Sequence, residues 1–152
     1  MHQETLPARV VLLCGPPCAG KTTRASELAR DPDDVVVDFD QIARDLGSPA
    51  RWLHPEPYRW QAEQEVRRIL ARLPGTAPGT AYVIRSLPGA QQRAIAARTI
   101  RACETWVISP GRDVCVCRAE ADHRPAGTVE QIDSWYARYR PWSGDHRASR
   151  AW

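Results

Sequence analysis

A chain of 152 residues with 43% hydrophobic and 26% charged content is sized and composed for one soluble domain around a single core. Its net charge of +3 is too mild to demand a nucleic-acid or membrane partner, and no apolar run approaches membrane-spanning length. Five cysteines follow a start, Met1-His2-Gln3-Glu4-Thr5, that lacks the basic and apolar regions of a signal peptide, so free thiols in a cytoplasmic protein are expected.

Residues 10–14 form a short apolar, β-branched stretch predicted as the first strand. It runs into Gly15-Pro16-Pro17-Cys18-Ala19-Gly20-Lys21-Thr22, which fits G-x-x-x-x-G-K-[ST] without insertion. Residues 23–29 follow with helical character, closed by Asp31-Pro32-Asp33-Asp34. Residues 35–38 read as a buried strand of the parallel type, and 39–46 as a short helix ended by Gly47. The proline-rich segment 48–57 is placed as the rim of a binding cleft. A longer helix, 58–73, carries Val66, Ile69, Leu70 and Leu73 at helical spacing, with Arg67, Arg68 and Arg72 on a solvated face.

Residues 80–84 are a third strand, and 88–102 a helix with Ala90, Ala94, Ala97 and Arg101 along one side. Residues 105–108 are a fourth strand. Ser109-Pro110 reads as a cap and first position of a helix reaching Ala121, with Val114, Cys117 and Ala121 on one face. Cys115-x-Cys117 has no partner pair, so core packing is expected of it rather than zinc. Thr128-x-x-Gln131 reads as a capping box for a last helix whose apolar face is Val129, Ile132, Trp135, Tyr136 and Tyr139. The polar tail, 142–152, interleaves Arg147 and Arg150 with Trp142 and Trp152, next to Arg138 and Arg140. Two readings stand for it: a stacking and phosphate-binding surface, or a packed Trp142 followed by frayed chain.

Strands alternating with helices predict an α/β domain over residues 1–152, a three-layer P-loop fold with a parallel sheet of about four strands. In such a sheet ligands sit at the carboxyl ends of the strands, where the P-loop, Asp38-Phe39-Asp40, Arg85-Ser86 and Ser109 all fall. The P-loop chemistry explains its residue types. Gly15 and Gly20 let successive N–H groups converge on one phosphate at the positive end of a helix. Lys21 carries a mobile charge to the outer phosphates of ATP, and the Thr22 hydroxyl is placed to ligate Mg2+. The nucleotide-binding set is therefore Gly15, Pro16, Pro17, Cys18, Ala19, Gly20, Lys21, Thr22 and Thr23. Lys21 is the only lysine among 21 Lys and Arg residues. Chance would put it at this position about one time in twenty.

No guanine-reading Asn-Lys-x-Asp exists in a chain without asparagine, and no second acidic strand end carries Glu beside Asp. GTPase switches and AAA-type motors are set aside on those grounds, and a small kinase is expected instead. Asp38 and Asp40 end the second strand beside the γ-phosphate position, where a carboxylate takes the proton of an attacking hydroxyl or holds the magnesium shell. The other reading of the pair is a solvated turn in which Asp40 caps the next helix. Arg118 and Arg124, with Asp122 and His123 between, fall in a break between late helices. This segment, 118–127, reads as an arginine lid over transferring phosphates, or as plain surface arginine.

With these pieces in order, the chain resembles the polynucleotide-kinase-like group of P-loop kinases, particularly small proteins encoded by bacteriophages of actinobacteria. The matching segments are Gly15 to Thr22, Val36-Val37-Asp38-Phe39-Asp40-Gln41-Ile42, Tyr82-Val83-Ile84-Arg85, Val114 to Arg118, His123-Arg124-Pro125 and Ile132-Asp133-Ser134-Trp135. The resemblance implies Asp40 as general base toward a polynucleotide 5′-hydroxyl or a modified base. It implies Asp38 as a supporting or metal-shell carboxylate, and Arg118 and Arg124 as clamps on the donor phosphates. Where that group has a phosphate-holding arginine this chain has Ala43, with Arg44 one position on. Its third strand ends in Arg85-Ser86-Leu87, and Arg85 is either an acceptor-phosphate contact or an internal ion-pair partner. His54-Pro55 is similar to a His-Pro of zeta-toxin-like kinases, which act on a nucleotide-sugar. A nucleoside monophosphate kinase and a non-catalytic ATP-binding module stand as further alternatives.

Overall fold

The computed structural model describes residues 5–147. Its strands are β1 (Pro7–Cys14), β2 (Val35–Val37), β3 (Ala77–Arg85), β4 (Glu104–Val107) and β5 (Asp145–Arg147). They form one sheet in the order β2-β3-β1-β4-β5, parallel at every pairing. The helices are α1 (Lys21–Leu28), α2 (Phe39–Asp45), α3 (Tyr58–Ala71), α4 (Ala90–Thr99), α5 (Arg112–Ala121) and α6 (Thr128–Arg138).

Both faces of the sheet are covered, which is why β1 reads as a continuous apolar run rather than an alternating one. Val10, Leu12 and Cys14 pack with Val37, Val83, Ala97 and Ile100, alongside Ile42, Ile69 and Leu70 of α2 and α3. Val11 and Leu13 face the other way, with Tyr82 of β3 and Ile108 after β4, against Ala25, Cys115 and Ile132 of the layer built by α1, α5 and α6. β1 is central, and the chain crosses to opposite sides of it through β3 and β4. The P-loop therefore sits at the switch point where such sheets bind ligands.

The sheet has a fifth strand where about four were expected, and it lies in the segment read as a polar tail. Thr105, Trp106 and Val107 pair with Asp145, His146 and Arg147. Trp142 packs against the core, as one of the two readings of the tail had it, but residues 145–147 after it form a strand instead of fraying. The Asp145 carboxylate accepts from the Trp142 amide at 2.9 Å and from Arg93 at 2.9 and 2.8 Å. Arg93 is 0% exposed. Its remaining N–H groups reach the carbonyls of Leu87 (2.9 Å), Pro88 (2.8 Å) and Arg140. All five guanidinium donors are thus used, and they tie α4, the turn after β3, the end of α6 and β5 together. The spacing reading of α4 missed this: Arg93 and Ala97 are its buried residues, while Arg101 is exposed and lies beyond the end of the helix. Arg150, Trp152 and the first four residues lie outside the described residues.

Two caps differ from expectation. α5 opens at Arg112 after Gly111, because the Ser109 hydroxyl donates to Tyr136 Oη (3.2 Å) instead of capping. α6 opens at Thr128 after Gly127, and the Thr128 hydroxyl turns back to Pro125 O (2.8 Å), so the capping box does not form. The face of α5 is rotated as well. Cys115 and Ala119 are buried, whereas Val114, Cys117 and Ala121 are exposed, since Tyr136 and Ile132 of α6 receive the Cys115 side. Ile132 and Trp135 are buried on α6 as read.

Candidate functional site

The P-loop closes tightly over the sheet. A Cβ on Gly15 would overlap the Ile108 carbonyl oxygen, and Gly20 holds φ 94° as it turns the chain into α1. Cys18 adopts a left-handed φ of 62° without being glycine, as do Leu53 (46°) and His123 (51°). These conformations cost energy and here belong to segments that border one cleft. Lys21 bends inward, and its ammonium donates to the carbonyls of Gly15 (2.7 Å) and Pro16 (2.6 Å). Burial lowers its pKa to about 8. Beneath the loop, burial pushes the Cys14 thiol up to about 12, and it raises the Cys18 thiol too, so neither is a ready thiolate.

At the carboxyl end of β2 the cap of α2 is Asp38, not Asp40. Asp38 Oδ1 accepts from the Asp40 amide (3.2 Å), and Oδ2 accepts from the Thr22 hydroxyl (3.3 Å). Burial first, and then the charge of Asp40, raise the Asp38 pKa. Asp40 is thereby free of the capping role, and its Oδ1 meets His54 Nε2 at 2.9 Å. That histidine belongs to the proline-rich rim, 48–57, and was no part of the site read from the sequence. Its one signal there was the His-Pro dipeptide.

The break between α5 and α6 is shorter than the segment 118–127 that the sequence offered as an arginine lid. Arg118 stands on α5 and donates to the Cys18 carbonyl at 3.2 Å, which holds it against the P-loop. The turn between the two helices begins at Asp122. Arg124 lays its guanidinium over the Trp52 ring, 4.0 Å from the centroid, and so bridges that turn and the rim.

One cleft of about 940 Å³ collects these groups. Its lining includes Pro17, Cys18, Ala19, Gly20, Lys21, Thr22, Thr23, Asp38, Asp40, Arg118 and Arg124, with Gly15 and Pro16 below them as the loop's base. It adds Trp52, Leu53, Ile84, Ser86, Thr128 and Gln131. Arg44 and Arg85 do not line it. Arg44 instead braces the rim, donating to Arg51 O (3.1 Å) and Gln41 Oε1 (2.9 Å). Arg85 ends β3 beside Cys14.

The donor set fits the groups a P-loop implies. Thr22 Oγ1 and Asp38 Oδ2 are hard oxygens 3.3 Å apart beside the loop. That suits Mg2+, which keeps waters and takes one or two protein oxygens plus phosphates rather than a full protein cage. Among the described residues no group of three or more His, Cys, Asp or Glu side chains forms a metal cage. The inward ammonium, the arginines and the amino end of α1 fit a polyphosphate. No described helix is long and apolar enough to cross a membrane.

Solved structures share this architecture. The chain is similar to a gluconokinase from Sinorhizobium meliloti 1021 (TM-score 0.62, 11% identity, covering 97% of this chain and 85% of that one). It is also similar to a sugar kinase from Janibacter sp. HTCC2649 (TM-score 0.60, 15% identity, 96% and 87%). Kti12 from Chaetomium thermophilum, solved in complex with ADP-AlF3, superposes at a TM-score of 0.56 (16% identity, 92% and 88%). At these identities the likeness is one of fold, and it is the P-loop fold of kinases. No curated protein matches the chain in sequence. A family model described as an AAA domain matches residues 10–141, a span that takes in the P-loop, the acidic strand end, Arg118 and Arg124. The chain belongs to that AAA domain family, AAA_33.

Proposed function

We propose that this protein is an ATP- and Mg2+-dependent kinase that transfers the γ-phosphoryl group to a hydroxyl of a small, uncharged acceptor. The observation that carries the reading is the placing of Asp40 on the wall of the cleft that holds Lys21, Thr22, Arg118 and Arg124. Asp40 Oδ1 is taken by His54. Its Oδ2, without a hydrogen bond among the described residues, is left to receive a proton.

The donor phosphates lie along the P-loop amides, and the Lys21 ammonium exchanges the Gly15 and Pro16 carbonyls for phosphate oxygens. Thr22 and Asp38 would hold Mg2+, whose chemistry there is to neutralise charge on the β- and γ-phosphate oxygens. Asp40 accepts the proton of the acceptor hydroxyl as its oxygen bonds to the γ-phosphorus and the bond to the bridging oxygen breaks, releasing ADP. Arg118 and Arg124 spread the charge on the transferring group.

The acceptor follows from what surrounds Asp40. Trp52, Leu53, Ile84 and Ser86 line the same cleft as Asp40, whereas Arg44 and Arg85, the arginines that the sequence offered for an acceptor phosphate, do not line it. A neutral hydroxyl compound fits that cleft better than a phosphate-flanked polynucleotide end, and two of the structural neighbours are named a gluconokinase and a sugar kinase, which favours a small hydroxyl acceptor. The polynucleotide 5′-hydroxyl is the second reading, favoured by the order of the sequence motifs around Asp40 and Arg118.

The test is γ-labelled ATP and Mg2+ with sugars and polyols, nucleosides, mononucleotides, and 5′-hydroxyl DNA and RNA, the products being separated. Label in a small neutral compound is expected, with loss in Asp40→Asn while ATP affinity stays within about twofold of the parent. Label confined to the oligonucleotides would select the second reading, and label on a mononucleotide phosphate would make it a monophosphate kinase. Full activity in Asp40→Asn would remove the base assignment, and no labelled product at all would leave a nucleotide-binding module.

A further inference from the structure

A carboxylate that takes a proton during phosphoryl transfer works only if it is aimed, and the groups that aim Asp40 are visible. Its amide is bound by Asp38 Oδ1 (3.2 Å), which fixes the backbone. Its side chain is fixed from behind by His54 Nε2 (2.9 Å). The His54 side chain is 1% exposed, and the Phe39 ring stands edge-on to it with centroids 5.9 Å apart. The second ring nitrogen is also occupied: Nδ1 lies 2.8 Å from Ser48 Oγ.

The direction of each proton in this chain follows from donor counting. The ionised Asp40 carboxylate is acceptor-only, so the proton it shares with the ring sits on Nε2 and is donated to Oδ1. The Ser48 hydroxyl, which accepts from the Ala50 amide at 3.3 Å, has one proton to give, and Nδ1 stands where it accepts that proton. A ring that donates from Nε2 and accepts at Nδ1 holds the carboxylate in place.

We infer that His54 is the positioning residue of Asp40, and that Ser48 sets the imidazole tautomer that lets it act. The inference rests on the reading of Asp40 as the base, and it gives the proline-rich rim a catalytic purpose beyond shaping the cleft. Ser48, Ala50 and His54 stand within seven residues of rim, which turns two polar side chains inward toward the start of α2. A histidine that merely anchors the rim would affect stability and nucleotide binding. One that aims Asp40 affects turnover, because misplacing a catalytic group by about 1 Å costs on the order of 10²-fold in rate.

Two kinds of measurement separate these roles. The first is the turnover of MgATP with water as acceptor, and with the best acceptor of the panel, in His54→Ala and His54→Gln. His54→Ala is expected to lower kcat by about 10²-fold, while KM for MgATP stays within about twofold of the parent. Free imidazole filling the vacated site, or the amide donor of His54→Gln, is expected to restore about tenfold of the loss. The second is the 15N spectrum of histidine-labelled protein, in which His54→Gln identifies the His54 signal. The parent is expected to show Nε2 protonated and Nδ1 unprotonated, and Ser48→Ala to weaken that preference with a smaller fall in kcat.

His54→Ala with kcat within twofold of the parent overturns the inference. So does a loss that neither imidazole nor His54→Gln restores in any part, or a parent spectrum with the proton on Nδ1. Asp40→Asn is run beside these variants. If it is inactive while His54→Ala is normal, the positioning role alone fails; if it keeps the parent kcat, the base assignment fails and the positioning role falls with it.

Discussion

Arg93 and Lys21 each bring a cationic head group inside the fold, under opposite terms. Arg93 spends all five donors on protein, two of them on the Asp145 carboxylate and the others on three carbonyls. Its charge is compensated permanently, and the reward is a closed sheet. Lys21 is bonded to two carbonyls and, among the described residues, to no carboxylate. Burial disfavours its charged form, and its pKa is lowered to about 8 as a result. The two carbonyls and the charge of Asp38 offset that penalty only in part, and a phosphate would relieve it further. The difference teaches which buried charge belongs to the fold and which is kept for a ligand.

The sharpest break of this comparison is Lys21→Met. Transfer is expected to fall by about 10³-fold, as for loss of a principal donor to the transition state, with the melting temperature unchanged or raised. Steady-state kinetics and thermal unfolding together check it, and a large loss of stability would place Lys21 on the same terms as Arg93.

Arg93→Met is the converse. It leaves Asp145 buried without its partner, a change that costs about 3–5 kcal/mol and lowers the melting temperature by roughly 10 °C, while kcat per folded molecule is unchanged. Denaturant titration alongside active-site counting measures both. Arg93→Lys is not a conservative replacement, because one ammonium cannot reproduce the fork that reaches Asp145 and three carbonyls.

pH sharpens the contrast by a smaller margin. The folded pKa of Lys21 lies below its ordinary value of 10.5, at about 8. Between those limits the unfolded chain binds more protons, so the Lys21 contribution to stability rises with pH through that window. Below about 8 the charged form carries its burial penalty in full. A bound triphosphate favours the ammonium, so binding takes up a proton above that pH. ATP affinity is expected to weaken as pH rises beyond it, by at most about tenfold per unit. Calorimetry in buffers of different ionisation enthalpy detects the proton uptake, and Lys21→Met abolishes it.

The smallest expected effect is at the contact between Arg124 and the rim. Trp52→Ala removes the ring under Arg124, an interaction of about 0.5–2 kcal/mol. It is expected to change kcat/KM for MgATP by about 3–10-fold, with Trp52→Phe in between. A Trp52→Ala protein kinetically equal to the parent would show that Arg124 needs no platform.

These contrasts also mark what was legible beforehand. Lys21 stood out because its whole context is local: eight consecutive residues between a strand and a helix, with a lone lysine in the required place. The acidic pair was legible for the same reason, by its offset from β2, although Asp38 takes the cap that the alternative reading gave to Asp40. Arg93 was hidden among many arginines because its partner, Asp145, lies 52 residues on. Ser109 was misread as a cap because its competitor, Tyr136, comes from another helix. The rim was recognisable from its prolines, but they could not tell that His54 turns to Asp40 and Trp52 to Arg124.

The sequence by itself determined the phosphate cradle, the alternation of strands and helices, and the acidic end of β2, since each is written in periodicity or in contiguous residues. The tertiary structure alone decided that the tail closes the sheet as β5, which face of α5 is buried, that Arg44 and Arg85 lie off the cleft, and that His54 backs Asp40. Those depend on which side chains meet across the fold, and a burial or hydrogen-bond partner supplied by a distant segment leaves no periodic trace in the residues that receive it.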